Sequence, residues 1–273
     1  MKNPGRKQIL LTNDDGIDSP GLWAAAEALS TIGYVTVAAP RNQATGAGRS
    51  HPIEADGSIT PRQLQIGRQI WTAYAVGGSP AQAVLYAMID LLPKKPDLVV
   101  SGINYGENVG NGITISGTLG AALEGASFGV PSLAVSLQLL DDGYLHHSRD
   151  VNFAVAAHFT QVFAKKLLEE KLPPDVHVLK VDVPASATPE TPWRVTRLGM
   201  HRYFIPFSTR RGTLDSPGPL GYKIDVRPED VPPESDIHTL RFENLVAVTP
   251  LSLDLTSRLP LEDLDALLRK NAD

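Results

Sequence analysis

Two aspartates, Asp14 and Asp15, stand side by side behind the apolar run Ile9-Leu10-Leu11 and in front of Gly16. The apolar run reads as the end of a buried strand. Neighbouring side chains of a straight strand face opposite ways, so two adjacent carboxylates share one site only where the backbone turns. Gly16 permits that turn because glycine tolerates positive φ. Two carboxylates so close repel each other, and a cation between them relieves the repulsion. Ser19-Pro20-Gly21 then supplies a helix cap and a proline suited to the first helical position. A strand that ends in paired carboxylates and feeds a helix puts them at the C-terminal edge of a parallel sheet, where open α/β folds bind ligands.

Two more polar loops follow strands. The segment 41–50, RNQATGAGRS, supplies Thr45, with Gly46 and Gly48 allowing close approach. The segment 102–112, GINYGENVGNG, supplies Asn104 and Asn108. All these donors are oxygen, which suits one hard divalent cation per chain, Mg²⁺, Mn²⁺ or Ca²⁺, rather than zinc or copper. An Asp-Asp-Gly alone is most often a turn, and a Gly-Asn stretch is usually just a loop. Three such loops after successive strands favour a site. The histidines His51, His146, His147, His158, His177, His201 and His238 show no metal-ligand spacing. Ser116-Gly117-Thr118 opens a small-residue helix, whose free N–H groups and partial positive charge suit a phosphate. A plain serine cap is the competing reading of Ser116. With a metal beside that helix, a phosphate ester becomes a candidate substrate: the metal would polarise it and lower the pKa of a bound water. Alternatively, Asp14 or Asp15 takes the proton from that water.

Other chemistries lack their signatures. There is no G-x-G-x-x-G behind the first strand and no P-loop, and no G-x-S-x-G elbow. Haloacid-dehalogenase phosphatases separate their two aspartates by one residue; here the pair is adjacent, which counts against an aspartyl-phosphate. No cysteine is present, so disulfides, zinc–thiolate sites and thiol nucleophiles are excluded. The net charge of −5, with no basic run, argues against coating a nucleic-acid polymer. No apolar run approaches the ~20 residues of a membrane span, and the polar N-terminus is unlike a signal peptide. Cytoplasmic is the expected localisation.

The elements that must position these residues alternate. Strands are expected at 9–12, 34–39, 71–76, 97–101 and 131–135, and helices at 22–30, 80–92 and 117–129. Residues 53–70 read as a hairpin. The expected fold is α/β: a Rossmann-like parallel sheet with helices on both faces and right-handed crossovers. Residues 1–137 would form the metal-bearing core of one domain. Residues 138–273 would complete it, with a helix over 151–172, strands at 177–183 and 245–249, strand-like residues over 193–207 and a helix over 261–270. The segment 210–233 is rich in glycine, proline and charge, and buries little surface alone. It reads as a loop, an arm or an exchanged segment.

Taken together, the blocks resemble the SurE family, the stationary-phase survival nucleotidases. They are LLTNDDGIDSPG (10–21), APRNQATGAGRS (39–50), GSPAQAV (78–84), SGINYGEN (101–108), SGTLGAALEG (116–125) and VTPLSLDLT (248–256). The resemblance implies a metal-dependent phosphomonoesterase acting on nucleoside 5′-monophosphates and 3′-monophosphates, with short polyphosphate cut by some members. It puts metal ligands on Asp14, Asp15, Thr45 and Asn104, and phosphate contacts near Asn108 and Ser116, Gly117 and Thr118. It implies a homodimer or tetramer built by exchanging C-terminal segments, with a β-hairpin arm. The family usually has serine where Thr45 stands, Asp-Cys where Gln82-Ala83 stand, and often histidine at Arg49. None of these departures removes an expected ligand. A nucleotide-binding module without turnover is the rival of another class, and the intact Asp14, Asp15 and Asn104 argue against it.

Overall fold

A computed structural model describes residues 5–66, 69–139 and 151–270; His146 and His147 lie outside them. In chain order the strands of the main sheet are β1 (Gln8–Thr12), β2 (Tyr34–Pro40), β3 (Ile59–Ile66), β4 (Gln69–Val76), β5 (Leu98–Tyr105), β6 (Ser132–Leu137), β7 (Val178–Val183) and β8 (Trp193–Val195). A hairpin of β9 (Phe204–Ser208) and β10 (Leu220–Ile224) forms a separate antiparallel sheet, and β11 (Val246–Leu251) returns to the main one. The nine strands run in the order β3-β4-β2-β1-β5-β6-β7-β11-β8. From β4 to β7 every pairing is parallel. Two antiparallel strands, β3 against β4 and β11 against β7, flank this parallel block.

β1 and β6 are buried throughout and their neighbours β5 and β7 nearly so, and the apolar runs split between two faces. Ile9 and Leu11 of β1 pack with Leu22 and Leu29 of helix α1 (Pro20–Ser30). Leu10 points the other way, into Ala83 and Val84 of helix α2 (Pro80–Tyr86) and Ala121 of helix α3 (Gly117–Ser127). Helix α4 (Ala154–Glu169) joins α1 on the first face through Phe159 and Phe163. Each fully buried leucine contributes about 1.5–3 kcal/mol of transfer free energy. Both faces need covering because parallel crossovers place helices on both sides.

Pro20 stands at the start of α1 with Ser19 as its cap, although the Ser19 hydroxyl makes no capping bond. Ser79 caps α2 reciprocally with Gln82: the Ser79 hydroxyl accepts from the Gln82 N–H at 3.1 Å, and the Gln82 side chain accepts from the Ser79 N–H at 3.0 Å. Gln82 is thus a structural residue.

Several boundaries differ from the expected ones. The expected helix to residue 92 is α-helical only to Tyr86 and then widens into a π-helical segment at Ala87–Leu91. β5 does not end at Ser101: it continues to Tyr105, with an irregularity against β6 between Ser101 and Asn104. Gly102, at φ +133°, carries the chain through that irregularity. The strand-like stretch 193–207 divides into β8 and the start of β9. Part of 210–233 is ordered as β10, which closes the hairpin, and as the 3-10 turn Pro228–Asp230. Two short helices complete the described chain, the unforeseen α5 (Asp236–Arg241) and the terminal α6 (Leu261–Arg269). No helix among the described residues is long and apolar enough to cross a membrane.

Candidate metal centre

β1 delivers the acid pair to the C-terminal edge of the sheet. Gly16 turns the backbone there at φ +94°. A side chain at Gly16 would meet the main chain of Asn42 and Gln43 at 3.1–3.2 Å, so the glycine also lets the second loop close over the first. Both carboxylates are buried, Asp14 at 3% and Asp15 at 8% exposure.

Two main-chain hydrogen bonds draw the other loops to this pair. The Ala44 N–H donates to the Asp14 carbonyl at 2.7 Å, fixing Thr45 as the next residue along. The Tyr105 N–H donates to Asp15 Oδ2 at 3.3 Å, fixing Asn104 as the residue before it. The side-chain amide nitrogen of Asn104 donates to the Tyr105 and Gly106 carbonyls at 3.1 and 2.7 Å. Its Oδ1 is therefore the end left to act as a ligand. Thr45 is exposed, and its hydroxyl accepts from the Gln43 side chain at 2.6 Å. Gln43 is a site neighbour that composition and spacing did not single out.

The N-terminus of α3 abuts the same carboxylates. The Thr118 hydroxyl donates to Asp14 Oδ1 at 2.5 Å, and the Thr118 N–H also bonds Asp14. Gly117 is needed for this approach, since a Cβ there would lie 2.7 Å from the Asp14 Cβ and 2.9 Å from Oδ2. Ser116 is an N-cap, its hydroxyl accepting the Leu119 N–H at 3.2 Å. Asn108 lies further along the rim. Its side-chain amide donates to the Ser136 hydroxyl at 2.9 Å and its N–H to Asp182 Oδ1 at 2.7 Å.

Burial, and then the charge of Asp15, pushes the Asp14 carboxyl up to about 7, against the lowering effect of the Thr118 hydrogen bonds. Burial and a neighbouring carboxylate act in the same direction, each disfavouring a negative charge on Asp14. The donor set fits a hard cation: two carboxylates, an amide oxygen and a hydroxyl, on three loops joined by direct main-chain bonds. Among the described residues no cluster of three or more histidines, cysteines or acidic residues occurs. A centre here therefore relies on neutral oxygens beside its two carboxylates.

Two buried networks behind the rim were not read from the sequence. The Tyr203 hydroxyl donates to Glu107 Oε1 at 2.7 Å and lies 3.2 Å from Arg241 Nη1. Lys180 is fully buried between Asp182 and Asp236, the latter at 3.0 Å. Periodicity hides Lys180 and Asp182, because a charged residue inside a strand resembles an exposed one until its neighbours are known, and the other members lie in loops and in α5. His201, half-buried beside the 110–112 turn, has a buried Nε2 without a hydrogen-bond partner among the described residues. Its carbonyl accepts from the Asn111 N–H at 3.3 Å.

Sheet, acid pair and helix terminus are those of a doubly wound α/β protein that presents an oxygen-rich site at the C-terminal edge of its sheet. A family model described as "Survival protein SurE" matches residues 9–204, and the chain belongs to that family. It is 39% identical over 269 residues to the "5′-nucleotidase SurE" of Methanocella arvoryzae, spanning 97% of this chain and 98% of that protein. It is 41% identical over 266 residues to the "5′-nucleotidase SurE" of Thermococcus gammatolerans, spanning 96% of each. The crystal structure of the SurE protein from Aquifex aeolicus aligns with a TM-score of 0.74 at 30% identity, covering 97% of this chain and 100% of that one.

Proposed function

We propose that this chain is a 5′-nucleotidase, a phosphoric monoester hydrolase, and that Asp14, Asp15, Thr45 and Asn104 hold one divalent cation for the reaction. The carrying observation is the buried acid pair, with Asp14 held protonatable at about 7 and bonded to the same loops that bring Thr45 and Asn104. When bound, a hard cation at this place supplies Lewis acidity to a phosphate oxygen and to water.

The chain's own groups do the rest. Ser116, Gly117 and Thr118 orient the phosphate at the N-terminus of α3, where Gly117, as the first helical residue, has no intrahelical acceptor for its N–H. Asn108 steadies the phosphate from the opposite side of the rim. A carboxylate oxygen of the Asp14–Asp15 pair takes the proton of the attacking water. The same carboxyl returns that proton to the leaving ester oxygen, and phosphate and nucleoside depart. Because these contacts all address the phosphate, nucleoside 3′-monophosphates and short polyphosphate belong to the same reading as further substrates. The cytoplasm, where nucleotides turn over, is the compartment.

Residues 1–137 carry the metal site, and residues 138–273 build the assembly. The β9–β10 hairpin exposes Phe207, Leu220 and Tyr222, and α6 exposes Leu261, Leu264, Leu267 and Leu268. Exchange of these segments between copies gives a homodimer or tetramer, which sedimentation would register as a mass of two or four chains.

The test is phosphate release from AMP with Mn²⁺, with Mg²⁺ and after chelation. Metal-dependent release that disappears in Asp14→Asn supports the reading. Tight nucleotide binding without release in any metal would convert the chain into a binding module.

A further inference from the structure

Asn104 serves a cation only if its amide is held the right way round, and that hold is indirect. Its Nδ2 donates to the Gly106 carbonyl at 2.7 Å, and this carbonyl belongs to the peptide joining Gly106 to Glu107. The orientation of that peptide therefore sets the direction of Asn104 Oδ1. Gly106 lies at φ +89°, and glycine loses more conformational freedom on folding than any other residue. Its N–H is tied to the Leu137 carbonyl at 2.9 Å. The other flank of the peptide is anchored by the Glu107 side chain.

Glu107 is 5% exposed, and a buried carboxylate is unfavourable unless it is paired. Burial pushes its carboxyl up, while bonds from the Tyr203 hydroxyl and the Leu139 N–H, and the charge of Arg241, act the other way. The Tyr203 hydroxyl donates to Oε1 at 2.7 Å across 96 residues of chain. Burial, and then the Glu107 charge, pushes that hydroxyl up as well, so it keeps the proton it donates. Arg241, the last residue of α5, donates from Nη1 to the same hydroxyl at 3.2 Å, and its guanidinium carbon lies 5.8 Å from the ring centroid. A phenol carries a single O–H donor, so the bonds run one way, from Arg241 through Tyr203 to Glu107. The Tyr203 ring is 1% exposed and packs among Val109, Ile237 and Leu240. Its hydroxyl thus stands on a rigid support. An apolar residue at 107 would pack without burying charge, but apolar contact is non-directional. A hydrogen bond to a carboxylate is short and fixes direction.

We propose that Tyr203 and Arg241 are positioning residues for Asn104. They anchor Glu107, Glu107 anchors the Gly106 carbonyl, and that carbonyl turns Asn104 Oδ1 toward the cation. The proposal rests on the metal-centre reading above. It makes a centre built from the first half of the chain depend on two side chains of the second half. Loss of either would leave every donor in place but wrongly aimed.

The experiment measures Mn²⁺ affinity of the full chain by calorimetry. Tyr203→Phe keeps the ring and its packing and removes only the hydroxyl. It should bind Mn²⁺ roughly tenfold more weakly than wild type, the scale on which groups behind a metal ligand act. Arg241→Met keeps the hydroxyl and removes its partner, and should weaken binding by a smaller factor. Ile237→Val trims the same apolar cluster without touching these bonds. Its melting temperature should fall while its Mn²⁺ affinity stays that of wild type, which separates aim from stability. As a second readout, phosphate release from AMP by Tyr203→Phe should approach wild-type kcat at saturating Mn²⁺ and fall short at limiting Mn²⁺. Wild-type affinity in Tyr203→Phe overturns the proposal, and so does an equal loss of affinity in Ile237→Val. Should Tyr203→Phe fail to fold, Arg241→Met against Ile237→Val decides by the same criteria. A wild-type chain that binds no Mn²⁺ overturns the metal-centre reading itself, whereas wild-type binding that the Tyr203 and Arg241 variants leave untouched overturns only the positioning role.

Discussion

The Thr118 hydroxyl is the largest of the influences that lower the Asp14 carboxyl against burial and the charge of Asp15. Its 2.5 Å bond to Oδ1 is one of the few influences drawing that carboxyl down from where burial puts it. Thr118→Val removes the donor and keeps the shape. A hydrogen bond to a charged group is worth about 1.5–3 kcal/mol, so kcat/KM for AMP should fall roughly ten- to hundredfold, and Thr118→Ser should restore most of it. Asp14 also has a consequence for stability. Its folded pKa of about 7 lies above the ordinary 3.8, so the folded chain binds this proton more tightly than the unfolded chain. The stability this contributes is full below pH 3.8 and is lost as pH rises through 7. The chelated protein should therefore melt at a lower temperature at pH 8 than at pH 5. Saturating Mn²⁺ should abolish most of that difference; an equal pH slope with and without metal would speak against cation binding at Asp14.

At the scale of elements, α3 and the loop after β2 are shaped around small residues. Alanine is the better helix former than glycine by about 1 kcal/mol in a helix interior, but Gly117 is the first residue of α3, where that gain counts for little. In Gly117→Ala the added Cβ would sit 2.7 Å from the buried Asp14 Cβ, so the melting temperature should fall, and turnover should drop at least about tenfold, since small misplacements at a reacting centre are costly. Paired melting and kinetic measurements separate these effects. Much of this geometry was legible in the sequence. Asp-Asp-Gly, the glycines of 41–50 and Ser-Gly-Thr all pointed to tight main-chain approach. The end of β5 was not legible, because Gly102 reads as a breaker yet here carries the strand on to Tyr105.

Across the whole molecule, Lys180 links the sheet to the site rim. Burial disfavours its charge, but Asp182 and Asp236 more than offset this, so its pKa is raised. Asp182 holds the Asn108 N–H at 2.7 Å, and Asp236 holds those of Gly110 and Gly199 at 3.2 and 2.8 Å. One cation thus secures β7, α5 and the asparagine loop together. Lys180→Met leaves two buried acids uncompensated. It should lower the unfolding free energy by about 3–5 kcal/mol, read as a fall in the urea midpoint, with KM for nucleotide rising as the Asn108 loop loosens. An unchanged midpoint would show that the triad does not support the fold.

Legible in the order of residues are the alternation of strands and helices, the acid pair at the end of the first strand, and the family. These are local properties: apolar runs, a turn-permitting glycine and ordered short blocks are written within a few residues of chain. That β11 returns antiparallel beside β7, that Lys180 lies buried between two aspartates, and that Tyr203 bonds Glu107 emerge only when the chain is folded. The partners β7 and β11, Lys180 and Asp236, and Glu107 and Tyr203 are far apart in the chain, and nothing local to either one names the other. The free energy of a charged side chain depends on which partners the fold brings within about 3–4 Å of it.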